Sequence, residues 1–139
     1  MLPVVMFVVV AMGFLALAVS RFAGQSSIAA AQEGISLQAF YAAESGGQYA
    51  MNQIYYVPLG GSAINRAAAT ANCASVNGDT VNFSGAGLMN CFATLACTSS
   101  VDVGSSTTFF TVSSSGDCGD DATSALRTIQ VSSYISDGL

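Results

Sequence analysis

The sequence predicts an α+β chain in which a long N-terminal helix, membrane-spanning in its first half, packs against a small antiparallel β-sheet head with disulfides. Three observations predict it. Residues 1–20 carry no charge, no proline interrupts the chain between Pro3 and Pro58, and all 4 cysteines fall after Pro58 among segments rich in Thr, Val and Phe.

The apolar run from Met1 to Ser20 reaches roughly 30 Å at ~1.5 Å per residue, which matches the hydrocarbon core of a bilayer. Arg21 is the first charge and stands where the run stops. A cleavable secretory signal is the competing reading, and Ala16-Leu17-Ala18 offers the small residues a signal peptidase accepts. Such signals open with a positive region and carry a shorter apolar stretch, so a retained segment is favoured. The missing positive flank leads to the expectation that a segment has been removed before Met1. Pro3 is harmless, because the first helical turn has no intrahelical partner for its backbone N–H.

Beyond Arg21 the chain turns polar, yet Ala, Gln, Glu, Leu and Met recur up to about Val57 and favour continuation of the same helix. Ile28, Ile35, Ala42, Tyr49 and Tyr56 recur every 7 residues and would form one stripe, with Leu37, Phe40, Met51 and Ile54 on other sides. Two apolar faces require two partners. Gly24, Gly34, Gly46 and Gly47 each disfavour a helix interior by up to ~1 kcal/mol relative to Ala, so the helix either loosens there or packs closely on a neighbouring helix. The expected organisation is a hydrophobic transmembrane segment at 1–23, an amphipathic continuation at 24–57 and a globular head at 58–139.

Pro58 with Gly60 and Gly61 ends the helix. Ser62 to Ala71 is Ala-rich and suits a short helix around Arg66, and Asn72 to Asn90 reads as a loop or weak strand. Asn90 to Thr98, Thr107 to Ser115 and Arg127 to Ile135 are strand candidates by composition and spacing, suited to an antiparallel meander. Ile129, Val131 and Ile135 would face the helix, leaving Thr128, Gln130 and Ser132 outward.

Cys73, Cys91, Cys97 and Cys118 form an even set in a short head, which suggests 2 disulfides in an oxidising compartment. Three pairings are possible on paper. The preferred one joins Cys73 with Cys91 and Cys97 with Cys118. A zinc site wants thiolates in short C-x-x-C pairs, which the sequence lacks. With no His, a His-dependent triad is excluded, and 3 basic against 8 acidic residues make nucleic acid an unsuitable partner. No catalytic residue, cofactor or metal is expected, and the chain is not expected to be an enzyme.

Other groups have bland readings that prevail. Glu33 and Glu44 lie 11 residues apart, roughly 16 Å along a helix, too distant for paired-carboxylate glycoside chemistry, so a solvated or intersubunit role is preferred. Asp117, Asp120 and Asp121 among glycines resemble a fragment of a calcium loop without matching an EF-hand, and an exposed acidic turn explains them. Asn82-Phe83-Ser84 fits a glycosylation sequon. Tyr41, Tyr49, Tyr55 and Tyr56 are expected to pack under the sheet or between subunits.

Within the helix, Ala31-Gln32-Glu33 and the stretch Gln38-Ala39-Phe40-Tyr41-Ala42-Ala43-Glu44-Ser45-Gly46-Gly47-Gln48-Tyr49-Ala50 resemble the segment that follows the membrane stretch in minor type IV pilins of the PilX and MshP type. Cys91-Phe92-Ala93-Thr94-Leu95-Ala96-Cys97, Phe110-Thr111-Val112-Ser113-Ser114, Cys118 and Arg127-Thr128-Ile129-Gln130-Val131 extend the likeness through the head. The outline resembles a type IV pilin-like fold and is most similar to that of the mannose-sensitive haemagglutinin pilus group.

This resemblance implies a structural subunit of an extracellular pilus-like filament, or of a periplasmic pseudopilus. A peptidase would remove a basic leader, and Met1 would be the mature, methylated N-terminus. The chain would wait in the inner membrane, be extracted by the pilus assembly machinery, and join copies of itself or other pilins in a helical array. Major pilins usually carry a glutamate at mature position five, where this chain has Val5. A carboxylate in a fibre core must be paired, and its absence favours a minor, priming or tip subunit. Lipid and bundle are both apolar, so assembly must rest on close packing, for which Ala16, Ser20 and Gly24 at 4-residue spacing are the expected surface. An adhesive tip protein and a non-polymerising membrane-anchored extracytoplasmic domain are the alternatives.

Overall fold

The computed structural model describes residues 2–57, 61, 63–102, 104, 106–120 and 123–136. The order of elements is α1 (Leu2–Ile54), α2 (Arg66–Val76), β1 (Thr80–Phe83), β2 (Cys91–Asp102), β3 (Thr107–Asp120) and β4 (Thr123–Ser136). The class is α+β, with an apolar N-terminal helix and an antiparallel sheet of 4 strands in the order β1-β2-β3-β4.

The chain separates into two compact units, Met1–Gly34 and Ile35–Leu139. The divide falls inside α1, so the last part of the helix belongs with the sheet. The anticipated limits at 23 and 57 do not coincide with it. Helix α1 ends at Ile54, ahead of the expected Val57, and a side chain of the next helix explains its closure. Asn72 Nδ2 donates to the carbonyl of Ile54 at 3.1 Å, satisfying an acceptor that a helix end leaves open.

In the second unit, α1 buries Ala39, Ala42, Ala43, Gly46, Gly47, Ala50 and Ile54, a helical series with steps of three and four residues apart from adjacent pairs. The face the sheet takes therefore differs from the expected seven-residue stripe, of which only Ala42 and the half-buried Ile35 reach the core. Ala42 is buried, whereas Ile28, Tyr49 and Tyr56 on that stripe are exposed. The buried face is built from the smallest side chains, which hydropathy weighs lightly and close approach requires. A Cβ added at Gly46 would stand 2.6 Å from both Ala93 Cβ and Ser114 Oγ, and one added at Gly116 on β3 would run into the α1 backbone at Ala39 and Ala43. Gly46 and Gly47 therefore serve packing on the chain's own sheet.

Helix α2 starts at Arg66, where the Asn65 side chain accepts from the Ala68 N–H at 2.8 Å in an N-cap. It reaches Val76 and so includes Cys73, beyond the expected end at Ala71. Ala69, Cys73 and Val76 form its buried edge. The segment expected as loop or weak strand thus holds the end of α2 and the short strand β1, which pairs with β2 from Thr80↔Thr94 to Phe83↔Cys91.

The three expected strands are present and longer. Hydrophobic residues of α1, α2 and the inward face of β2 and β3 form one core of Ala50, Ile54, Ala69, Cys73, Val76, Leu95, Cys97, Phe110 and Val112. Ala39, Ala42, Cys91 and Cys118 form a second. On β4, Ile129, Val131 and Ile135 are half-buried while Thr128, Gln130 and Ser132 are exposed, as the two-residue period predicts. Gly119 has φ +108°, a backbone state that favours glycine, and a Cβ there would meet the Thr123 carbonyl oxygen.

The disulfides join Cys73 to Cys97 and Cys91 to Cys118, which overturns the preferred pairing of Cys73 with Cys91 and Cys97 with Cys118. Strand register supplies the reason. Cys91 stands directly opposite Cys118 on β3, with Cα atoms 4.2 Å apart, whereas Cys97 stands opposite Val112. The six residue steps from Cys91 to Cys97 correspond to about 20 Å of strand, which keeps Cys97 far from Cys118. Helix α2 lies over the far part of β2 and brings Cys73 within a Cα distance of 5.5 Å from Cys97.

Candidate assembly surfaces

Within the first unit, Pro3–Phe22 is a helical stretch of 20 residues with mean hydropathy 2.5, and none of it is buried. Its large apolar side chains include Phe7 and Phe14, exposed at 76% and 70%. Covering a side chain of this kind contributes about 1.5–3 kcal/mol, so the segment's 13 exposed large residues represent roughly 20 kcal/mol or more that water leaves unrealised. A bilayer or other apolar helices can cover such a surface. Length and composition meet the requirement for crossing a membrane, and a signal sequence meets the same requirement. Together with the disulfides, the segment fits a membrane-anchored or exported chain with its head in an oxidising compartment.

Ala16 and Ser20 of the expected packing row are exposed on α1. The surroundings of Gly24 lie outside the described residues, as does Met1, the expected processing and methylation site. Asp121, one third of the acidic group, also lies outside them. Asp117 is half-buried and Asp120 exposed. Among the described residues no group of three or more His, Cys, Asp or Glu side chains is placed to hold a metal ion.

In the second unit, a groove of about 320 Å³ runs between α1 and the edge strand β4, lined by Phe40, Glu44, Gly47, Gln48, Met51, Ile129 and Val131. Its existence follows from the small-residue packing. Gly47 brings β4 close enough that Ile129 Cδ1 would lie 3.1 Å from a Cβ at that position, while the larger Phe40 and Met51 stand to either side along the helix. Glu44 is half-buried and is the one charged residue in the lining. The sequence pattern puts Phe40 and Met51 on sides of the helix away from the seven-residue stripe, and Ile129 and Val131 on the inward face of their strand. What the sequence reading missed is that these four residues and Glu44 meet; their spacing on α1 (40, 44, 47, 51) is the signal that could have found it.

The tyrosines divide. Tyr55 packs under the sheet, its ring edge-on to Phe110 at 6.3 Å and its hydroxyl donating to Ser133 Oγ at 2.8 Å. Tyr41, Tyr49 and Tyr56 are exposed and available to a partner. Asn82 of the sequon is exposed on β1. The outward face of the sheet is a hydroxyl-rich surface in which Ser115 and Thr128 share a hydrogen bond at 2.8 Å, with Phe109 and Tyr134 stacked at a tilt near one end.

Comparison of the chain with models of known families, with curated proteins and with solved structures finds no match.

Proposed function

We propose that the chain is a structural subunit, of the pilin or minor-pilin type, in a type IV pilus-like filament, assembled through its N-terminal apolar helix. The observation that carries this reading is the wholly uncovered Pro3–Phe22 segment on the same helix whose later residues underlie the disulfide-bonded sheet. A plain membrane anchor needs only the first of these features. A subunit that must leave lipid for a bundle of helices uses both, since the sheet grips the helix while its apolar part changes surroundings.

The type IV pilin-like fold, the inner-membrane precursor, the extracellular location and the partnership with other pilins and their assembly machinery all belong to this proposal. Val5 in place of the glutamate usual in bulk subunits favours a minor or priming position. No enzymatic step is proposed.

Imaging sheared extracellular material labelled for this chain provides the test. Labelled filaments are the expected result. Recovery of the chain only as a monomer in the membrane fraction would refute the reading in favour of an anchored domain, and normal filament numbers with lost attachment after deletion would move the function to an adhesive tip.

A further inference from the structure

Helix α1 carries charge at Arg21, Glu33 and Glu44 alone among its 53 residues. Resting on the filament reading above, we propose that Arg21 of one copy pairs with Glu44 of a second copy, seating the apolar helix of the first along the groove between α1 and β4 of the second.

Charge and spacing both lead to this register. Glu44 is half-buried in an apolar groove, and among the described residues it has neither an ion pair nor a hydrogen bond. Burying a carboxylate further beneath a partner is costly unless a cation arrives with it. Of the chain's 3 basic residues, Arg66 already interacts within the head and Arg127 donates to the Leu126 carbonyl at 3.0 Å. Arg21 is exposed and ends the apolar segment.

The residues around the two charges then match position for position. Phe14, Leu17, Arg21 and Ile28 follow one another at steps of 3, 4 and 7, and so do Leu37, Phe40, Glu44 and Met51. These steps keep each set on one side of a helix. Sliding one parallel helix by 23 residues against another places Phe14 beside Leu37, Leu17 beside Phe40, Arg21 beside Glu44 and Ile28 beside Met51. The corresponding shift of 12, which would pair Arg21 with Glu33, sets Phe14 against Ser26 and Leu17 against Ala29 instead. Glu33 is exposed, and no groove adjoins it among the described cavities. Arginine suits the task because its planar fork can hold a carboxylate with two parallel hydrogen bonds.

Two differently tagged full-length chains, one carrying Arg21→Cys and the other Glu44→Cys, would be co-expressed, and sheared filaments oxidised mildly and run without reduction. The expected result is a dimer bearing both tags at about tenfold or more over the yield for Arg21→Cys with Glu33→Cys. Equal yields for the two combinations, or capture of Arg21→Cys by a different polypeptide, would overturn the register. In parallel, R21E and E44R are each expected to reduce filament yield by about tenfold or more, and the doubly reversed chain to restore it to within about twofold of wild type. Intact mass showing both disulfides formed would establish that each variant head has folded. Folded single variants that assemble normally, or a folded double variant no better than the worse single one, would overturn the pairing. Wild-type filaments without the cross-link would sink this register alone, whereas absence of wild-type filaments would sink the filament reading and the pairing with it.

Discussion

Replacing Gly116 with alanine should unseat α1 from the sheet. The added Cβ meets the Ala39 carbonyl oxygen and the Ala43 amide nitrogen, and stands 3.1 Å from the Ala42 carbonyl carbon. These are helix backbone atoms, which cannot rotate aside, and real Cβ contacts essentially never fall under 3.0 Å. The helix must therefore retreat by on the order of 1 Å, a gap at which facing atoms forfeit a quarter to a half of their dispersion attraction. Ala39, Ala42, Ala43 and Ala50 are fully buried along this contact, so the loss spreads beyond the substituted site. Overpacking typically costs about 1–3 kcal/mol, and a clash against fixed backbone belongs at or above the upper end, about 3 kcal/mol. For a unit of this size that lowers the melting temperature by roughly 15 °C. Thermal unfolding of the oxidised full chain in detergent micelles, followed by near-ultraviolet circular dichroism, would measure it. Gly46→Ala should lose less, because Ser114 Oγ can rotate aside, only the Ala93 Cβ is fixed against it, and alanine favours the helix. Gly34→Ala, with nothing within 4 Å, should melt no lower than wild type. A Gly116→Ala chain melting within about 2 °C of wild type would refute the close-contact account.

Ser114 Oγ is buried with no hydrogen-bond partner among the described residues, so Ser114→Ala should leave stability unchanged or raise it by up to about 1 kcal/mol in the same melting assay. Removing the α2 cap by Asn65→Ala should cost about 1 kcal/mol, read as a lower melting temperature with the fold retained. Replacing Cys73 and Cys97 together by alanine, or Cys91 and Cys118, should each cost about 3–4 kcal/mol on the loop-entropy account, since the bridges span 24 and 27 residues. Peptide mapping of the non-reduced chain should recover Cys73 with Cys97 and Cys91 with Cys118, and recovery of any other pairing would contradict the strand register.

Local chemistry made much of the fold legible. An uncharged run of bilayer length, an unbroken series of helix-favouring residues and alternating Thr, Val and Ile segments each act over short range, so α1 and strands β2 to β4 could be read one segment at a time. The two-residue period assigned the faces of β4 without knowledge of its neighbours, because a strand alternates sides whatever lies against it.

The disulfide pairing and the groove could not be read in that way. Whether Cys91 meets Cys73 or Cys118 depends on the β2–β3 register and on where α2 lies across the sheet, both of which are distances between segments remote in sequence. The buried side of α1 eluded the sequence reading for a related reason. Side-chain size and apolar area rank Ile28, Tyr49 and Tyr56 above Ala39, Ala43 and Gly46, but a sheet carrying Ala93, Ser114 and Gly116 at its contact line admits only the small set. Sequence alone determined that an apolar helix must find cover and that the head must oxidise. Only the tertiary structure decided which face of that helix the sheet takes and which residues remain for a partner, because close packing is settled by the shapes of two surfaces together.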